Sequence, residues 1–150
     1  MLRRLQVISN KNADAMNKAA VAMKRGMMVQ KDLANKTAIL PTTTEGLYFV
    51  NKDNYPIGLM SLEGELSDYD TRFESISANE FVILEKPISG ERYATTEYVS
   101  TDLSVGNYLI VETAAGETQG KLKKNATATG FVYDGTFSDN GNTLAIVQVL

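Results

Sequence analysis

The chain has 150 residues, 43% of them hydrophobic and 22% charged, with no cysteine, histidine or tryptophan. Those totals fit one globular domain with a real core. They exclude disulfides, thiol catalysis, Cys/His zinc sites and histidine-based triads. The formal net charge of −3 hides a split: residues 1–36 carry eight bases and two acids, and residues 37–150 carry seven bases and sixteen acids. A basic arm on an acidic body is the expectation, with 1–25 as the arm and 26–150 as the body. Such an arm either attaches to an acidic surface, including a neighbouring copy's own body, or is a solvated basic helix.

The N-terminal "MLRRLQVISN" has the positive charges of a leader, but Gln6 breaks its short apolar run. No stretch approaches the ~18 apolar residues of a spanning helix, so neither a signal peptide nor a membrane partner is expected. The lack of cysteine favours a reducing compartment, the cytoplasm where the protein is made. Next, "NADAMNKAAVAMKRG" places Met16, Ala19, Ala20 and Met23 at helical spacing. Asn12 suits the N-cap, Lys24 and Arg25 the last turn, and Gly26 the left-handed stop. The spacing predicts a short helix in the arm, with only a thin apolar stripe.

From Gly26 onward, short extended runs alternate with turn residues: "MMVQ", "TAIL", "LYFV", "IGLM", "FVILEKP", "ERYATTEYV", "NYLIVET", "GKLKK", "TGFVYDGTF" and "TLAIVQVL". β-Branched and aromatic residues fill the runs, and Asn, Gly, Pro and Asp fill the gaps. This pattern predicts a mainly β body, a small β-barrel or β-sandwich. No helix-length pattern alternates with the strands, which argues against a βαβ fold. The chain closes on a hairpin, Gly130–Phe137 against Thr143–Leu150, turned by Asn140-Gly141. Its return strand is apolar on both sides: Leu144, Ile146 and Leu150 share one, and Ala145, Val147 and Val149 the other. Both faces are therefore expected to be covered, by the domain or by a neighbour.

Motifs that could carry chemistry read as structural. "VETAAGETQGKLKK" has three residues between Gly116 and Gly120 where a phosphate loop has four, and Leu122 where that loop has a hydroxyl residue, so it reads as a hairpin. The acids Glu63, Glu65, Asp68 and Asp70 lack the alternating register of a calcium loop, and no metal or cofactor is expected. Paired carboxylates such as Glu63 and Asp68 are the only candidates for a hydrolase. Tyr93, Tyr98, Tyr108, Phe131, Tyr133 and Phe137 could form a stacking platform for a sugar or small ligand, but within strands such residues usually serve the core. The acidic body would repel phosphates, so nucleic acid is not an expected partner. Asn35-Lys36-Thr37 and Asn125-Ala126-Thr127 match a glycosylation triplet, which carries no meaning without secretion.

Three stretches together resemble the capsid decoration, or cement, proteins of tailed bacteriophages: "AMKRGMMVQKD" with "TAILPTT", "DLSVGNYLIVETAAGETQGKLKK" and "ATATGFVYDGTFSDNGNTLAIVQVL". The shared features are patterns of glycine, turns and apolar runs between Gly26 and Leu150. The basic arm and the Glu63–Glu74 insertion depart from that pattern. The resemblance implies a non-catalytic virion protein assembled in the host cytoplasm. It would bind the outer face of the major capsid protein and lie beside neighbouring copies of itself. Head-completion and tail proteins share such patterns and form the alternative virion reading. On this reading Arg3, Arg4, Lys18, Lys24 and Arg25 are expected to make electrostatic contacts with the capsid, with Leu2, Leu5, Met16 and Met23 as apolar anchors.

Overall fold

A computed structural model describes residues 1–8, 13–52 and 73–150. In chain order the strands are β1 (Leu2–Gln6), β2 (Asp14–Ala19), β3 (Met23–Lys24), β4 (Met28–Asp32), β5 (Thr37–Ile39), β6 (Leu47–Asn51) and β7 (Ser75–Ile76). β8 (Phe81–Glu85), β9 (Arg92–Thr95), β10 (Tyr108–Val111), β11 (Leu122–Asn125), β12 (Phe131–Asp139) and β13 (Asn142–Val149) follow. The expected β body is therefore present, and nine of its ten sequence runs map onto strands. The tenth, "IGLM", lies outside the described residues, as do the acids Glu63 to Asp70.

Strands β2, β5, β4, β6 and β8 close a barrel, and β1, β9, β13, β12, β10 and β11 form a six-stranded sheet in that order. The short pair β3–β7 sets Met23 opposite Ile76 and packs both into the barrel core. Barrel and sheet share one wall. Along β4 and β6, Met28, Leu47 and Phe49 face the sheet, while Val29, Tyr48 and Val50 face the barrel interior. This is the two-residue period of a strand with apolar matter on both sides. Phe49 meets Tyr93 of β9 with ring centroids 4.7 Å apart and planes tilted by 37°, a favourable offset arrangement. Leu109, Val111, Leu122, Tyr133, Ala145, Val147 and Val149 complete the sheet's side of that core.

The expected arm helix does not form. Among the described residues of 12–25, Asp14–Ala19 is a strand that closes the barrel, parallel to β5 and antiparallel to β8. Its backbone is bonded on both sides: Ala19 N–H donates to the Glu80 carbonyl at 2.8 Å and Ala20 N–H to the Ala38 carbonyl at 2.9 Å. The alanines that suggested a helix have another use here. Ala19 and Ala38 are both fully buried in the barrel core, packed among larger side chains such as Val29, Val82 and Leu84. Tertiary pairing thus overrides a helix propensity worth only tenths of a kcal/mol per residue. β1 likewise lies against β9, with Leu2 opposite Thr95.

The closing hairpin is as expected, with Asn140 and Gly141 both at positive φ (46° and 80°) between the paired Asp139 and Asn142. β10 and β11 pair as a hairpin across the "TAAGETQG" loop, as the spacing of its glycines implied. Of the return strand's two sides, Ala145, Val147 and Val149 are buried against the barrel wall. Leu144 packs with Met1 and Ala94 on the other side, whereas Leu150 is exposed.

Among the described glycines, Gly26 makes the closest approach to its neighbours. Its φ is +95°, and a Cβ there would lie 2.4 Å from Thr95 Oγ1 and 2.7 Å from the Met1 carbonyl oxygen. The backbone cannot yield easily, because Thr95 Oγ1 donates to the Gly26 carbonyl at 2.9 Å. Gly26→Ala is expected to destabilise the protein by about 2–4 kcal/mol, measured as a shift in the urea midpoint; a loss under about 0.5 kcal/mol would show that the close approach is not present in solution.

Candidate functional site

The nine residues expected to contact a partner do not form one surface. Leu2 is buried in the core beneath β9, and Met23 is buried at the barrel end. Arg25, 7% exposed, donates from Nε to Asn51 Oδ1 at 2.6 Å and lies 3.9 Å from Glu74. Burial lowers its pKa, with the Glu74 charge opposing. These three side chains hold the interior together and are not on the outer surface.

Arg3 and Arg4 turn toward acids of the body. Arg3 Nε donates to Asp139 Oδ2 at 2.5 Å. Arg4 grips Glu85 with both arms of its guanidinium, Nε to Oε2 at 2.8 Å and Nη2 to Oε1 at 2.6 Å. Glu85 Oε1 also accepts from Asn51 Nδ2 at 2.7 Å. The Glu85 hydrogen bonds raise the Arg4 pKa against the opposing effect of burial. An Arg25–Asn51–Glu85–Arg4 chain thus ties β1 to the barrel. The lopsided charge of the sequence is met in part inside the molecule, basic N-terminal residues pairing with acids from far along the chain.

A second buried cluster lies beside it. The Tyr93 hydroxyl donates to Glu91 Oε2 at 2.8 Å, and Glu91 also accepts from the backbone N–H groups of Ile8 (3.1 Å) and Ile88 (2.9 Å). Burial, then the Glu91 hydrogen bond, pushes the Tyr93 pKa above the usual phenol range. The Met1 ammonium donates to the Arg25 carbonyl at 3.0 Å and to Thr96 Oγ1 at 2.6 Å, and pairs with Glu74. Burial lowers its pKa, and the Glu74 hydrogen bond opposes that. Tyr93 and Tyr133 are both buried, so neither belongs to an exposed stacking platform. Among the described residues, no group of three or more acidic, histidine or cysteine side chains is placed to hold a metal ion.

Two of the nine, Met16 and Lys18, lie on the outer β2–β8 face of the barrel. Along β2 the burial alternates: Asn17 and Ala19 turn inward, while Met16 and Lys18 turn out. Lys18 is paired with Phe81 across the strands, and its Nζ sits 5.0 Å from the Phe81 ring centroid, within cation–π range. Met16 is 78% exposed and Phe81 60%. Ile83, two residues beyond Phe81 on the same side, is half-exposed and borders a cleft with Arg3, Arg4 and Lys52. Leu5 is also partly exposed, and Lys24 is exposed on β3. Of the nine expected residues, then, the structure brings Met16 and Lys18 together. It adds Phe81 and Ile83, which the sequence reading had not singled out. The signal was present in "FVIL", a run apolar on both faces like the closing strand.

No family model matches the chain, and no curated protein or solved structure matches it either. The surface must therefore be judged on its own chemistry.

Glu85 tests the internal role of the arginines. Glu85→Ala leaves the Arg4 and Asn51 donors without their acceptor at a site only 2% exposed, and should cost about 2–4 kcal/mol of stability. Arg4→Ala, at a half-exposed position, should cost about 0.5–1.5 kcal/mol. Equal, near-zero losses for both in urea denaturation would mean that the chain of hydrogen bonds does not hold β1.

Proposed function

We propose that this protein is a virion structural protein, a capsid decoration protein of a tailed phage, that docks on the outer surface of the major capsid shell through its β2–β8 face. One observation supports the docking face above the others. Met16 and Phe81, two large apolar side chains, are exposed on the paired strands β2 and β8, with Lys18 over the Phe81 ring. Leaving such groups in water forgoes about 1.5–3 kcal/mol for each side chain that a partner could bury. Clustered apolar exposure with a charged rim is the usual mark of a protein-binding surface.

The identity of the partner comes from the sequence resemblance to phage cement proteins. Lys18, exposed on this face, suits an acidic capsid surface. A shell that repeats one docking site many times needs only a standard interface, about 1,600 Å² in total, for each copy. Neighbouring copies on the lattice then add avidity without new kinds of contact. Arg3 and Arg4 serve this reading through the placement of β1, and Leu2, Met23 and Arg25 through the core.

Deleting the first 25 residues cannot test this reading, since it would remove β1, β2 and β3 and open the barrel. Point substitutions on the outer face can. Met16→Asp combined with Phe81→Asp should leave the circular dichroism and thermal midpoint near wild type and weaken binding to undecorated capsids at least tenfold in a co-sedimentation assay. Val105→Asp, at another exposed apolar position, should bind as wild type does. Wild-type protein that ignores phage shells would remove the function; a double variant that binds normally would remove the face.

A further inference from the structure

The six-stranded sheet has an open edge inside its strand order. β12 runs from Phe131 to Asp139, but β10 pairs with it only at Phe131 and Val132, and beyond Tyr133 its one strand partner is β13. The turn at the end of this ribbon fixes which backbone groups point outward. With Asn140 and Gly141 as a two-residue turn, Asp139 and Asn142 form the hydrogen-bonded closing pair, and such pairs alternate along an antiparallel ladder. Phe137 therefore exchanges its bonds with Leu144, whereas the N–H and C=O of Thr136 and Ser138 point away from β13. Among the described residues no strand pairs with that side of the ribbon, and Thr136, Phe137 and Ser138 are all exposed.

We infer that this edge pairs antiparallel with the same edge of a second copy of the chain, about a two-fold axis through Phe137. The stretch is its own complement. Centring the pair on Phe137 sets Thr136 of each copy opposite Ser138 of the other, so the outward N–H and C=O groups of both strands bond to one another. The two Phe137 rings then meet on one face at the close, non-hydrogen-bonded position, where aromatic pairs add to sheet stability. No acid meets an acid, since Asp139 comes opposite Gly135 of the second copy. Edges that stay single are guarded by lysine, proline, a bulge or an unpaired charge. The run "TFS" has no such residue, the β12 bulge lies before it, and the flanking acids Asp134 and Asp139 are paired with Arg92 and Arg3. A contact of this isologous kind closes on itself as a dimer. Its few bonds fall short of a standard interface, so the pairing is weak in dilute solution, with a Kd on the order of 0.1–1 mM. The edge shares no residue with the β2–β8 face, and the inference goes beyond the capsid reading without resting on it.

The test compares the full chain at about 50 µM and about 1 mM, concentrations that bracket that Kd. Sedimentation equilibrium is expected to show the average mass rising toward the dimer at the higher concentration. Amide hydrogen exchange read by NMR should slow at least twofold at Thr136 and Ser138 over the same range. It should stay constant at Phe137, whose N–H is already bonded to Leu144, and at Thr143 on the other side of the hairpin. Phe137→Lys sets like charges opposite one another across the axis and should weaken self-association at least tenfold. Met16→Asp combined with Phe81→Asp should associate as wild type does. A wild-type chain that stays monomeric at the higher concentration would overturn the inference. So would a dimer in which Thr136 and Ser138 exchange as fast as in the monomer, a folded Phe137→Lys variant that associates normally, or a double variant that no longer associates. If Phe137→Lys does not fold, the exchange rates of the wild type decide the matter alone.

Discussion

The packing of Phe49 on Tyr93 joins two β-structures that would otherwise have little reason to stay together. Phe49 belongs to a barrel whose interior is already filled by Val29, Val50, Val82 and Leu84, and Tyr93 belongs to a sheet that buries one face against that barrel. Strands β4 and β6 therefore work on both sides, and no polar residue could replace Met28, Leu47, Phe49, Val29 or Val50 without facing an apolar layer. Two small cores, each thin alone, are stabilised by sharing this wall. The polar connections lie at its border: the Arg4–Glu85–Asn51–Arg25 chain, with the Tyr93–Glu91 pair beside it, links β1 and β9 to the barrel.

This arrangement also decides which surfaces are left for a partner. The wall is occupied, the barrel interior is full, and the basic N-terminal residues are partly drawn inward by acids of the body. On the β2–β8 face, by contrast, Met16 and Phe81 are exposed and Lys18 lies over the Phe81 ring.

The strands after Gly26 were legible because their chemistry is local: β-branched and aromatic runs, the Asn140-Gly141 turn, and the two-residue period of "TLAIVQVL". Residues 14–25 were not, because Met16, Ala19, Ala20 and Met23 satisfy a helical spacing, and the reason for their extended form lies elsewhere, in the edges of β5 and β8 that they close. A small residue buried inside a barrel looks like a helix former when read alone. The candidate site divides in the same way. Met16 and Lys18 could be named from an apolar and basic segment, yet the burial of Leu2, Met23 and Arg25, and the juxtaposition of Phe81 with Lys18, depend on pairings between distant parts of the chain.

The position of β9 has a kinetic side. It is flanked by β1 and β13, strands drawn from opposite ends of the sequence, so neither flank can be filled by a neighbouring hairpin. Closing such distant loops before any burial is gained is what makes β-rich topologies slow to fold. During synthesis the Tyr93–Ala94–Thr95 edge stays open until β13 has left the ribosome, and an open edge of that kind is a template for pairing with another molecule. Refolding yield should consequently depend on protein concentration far more steeply than the stability of the finished fold does.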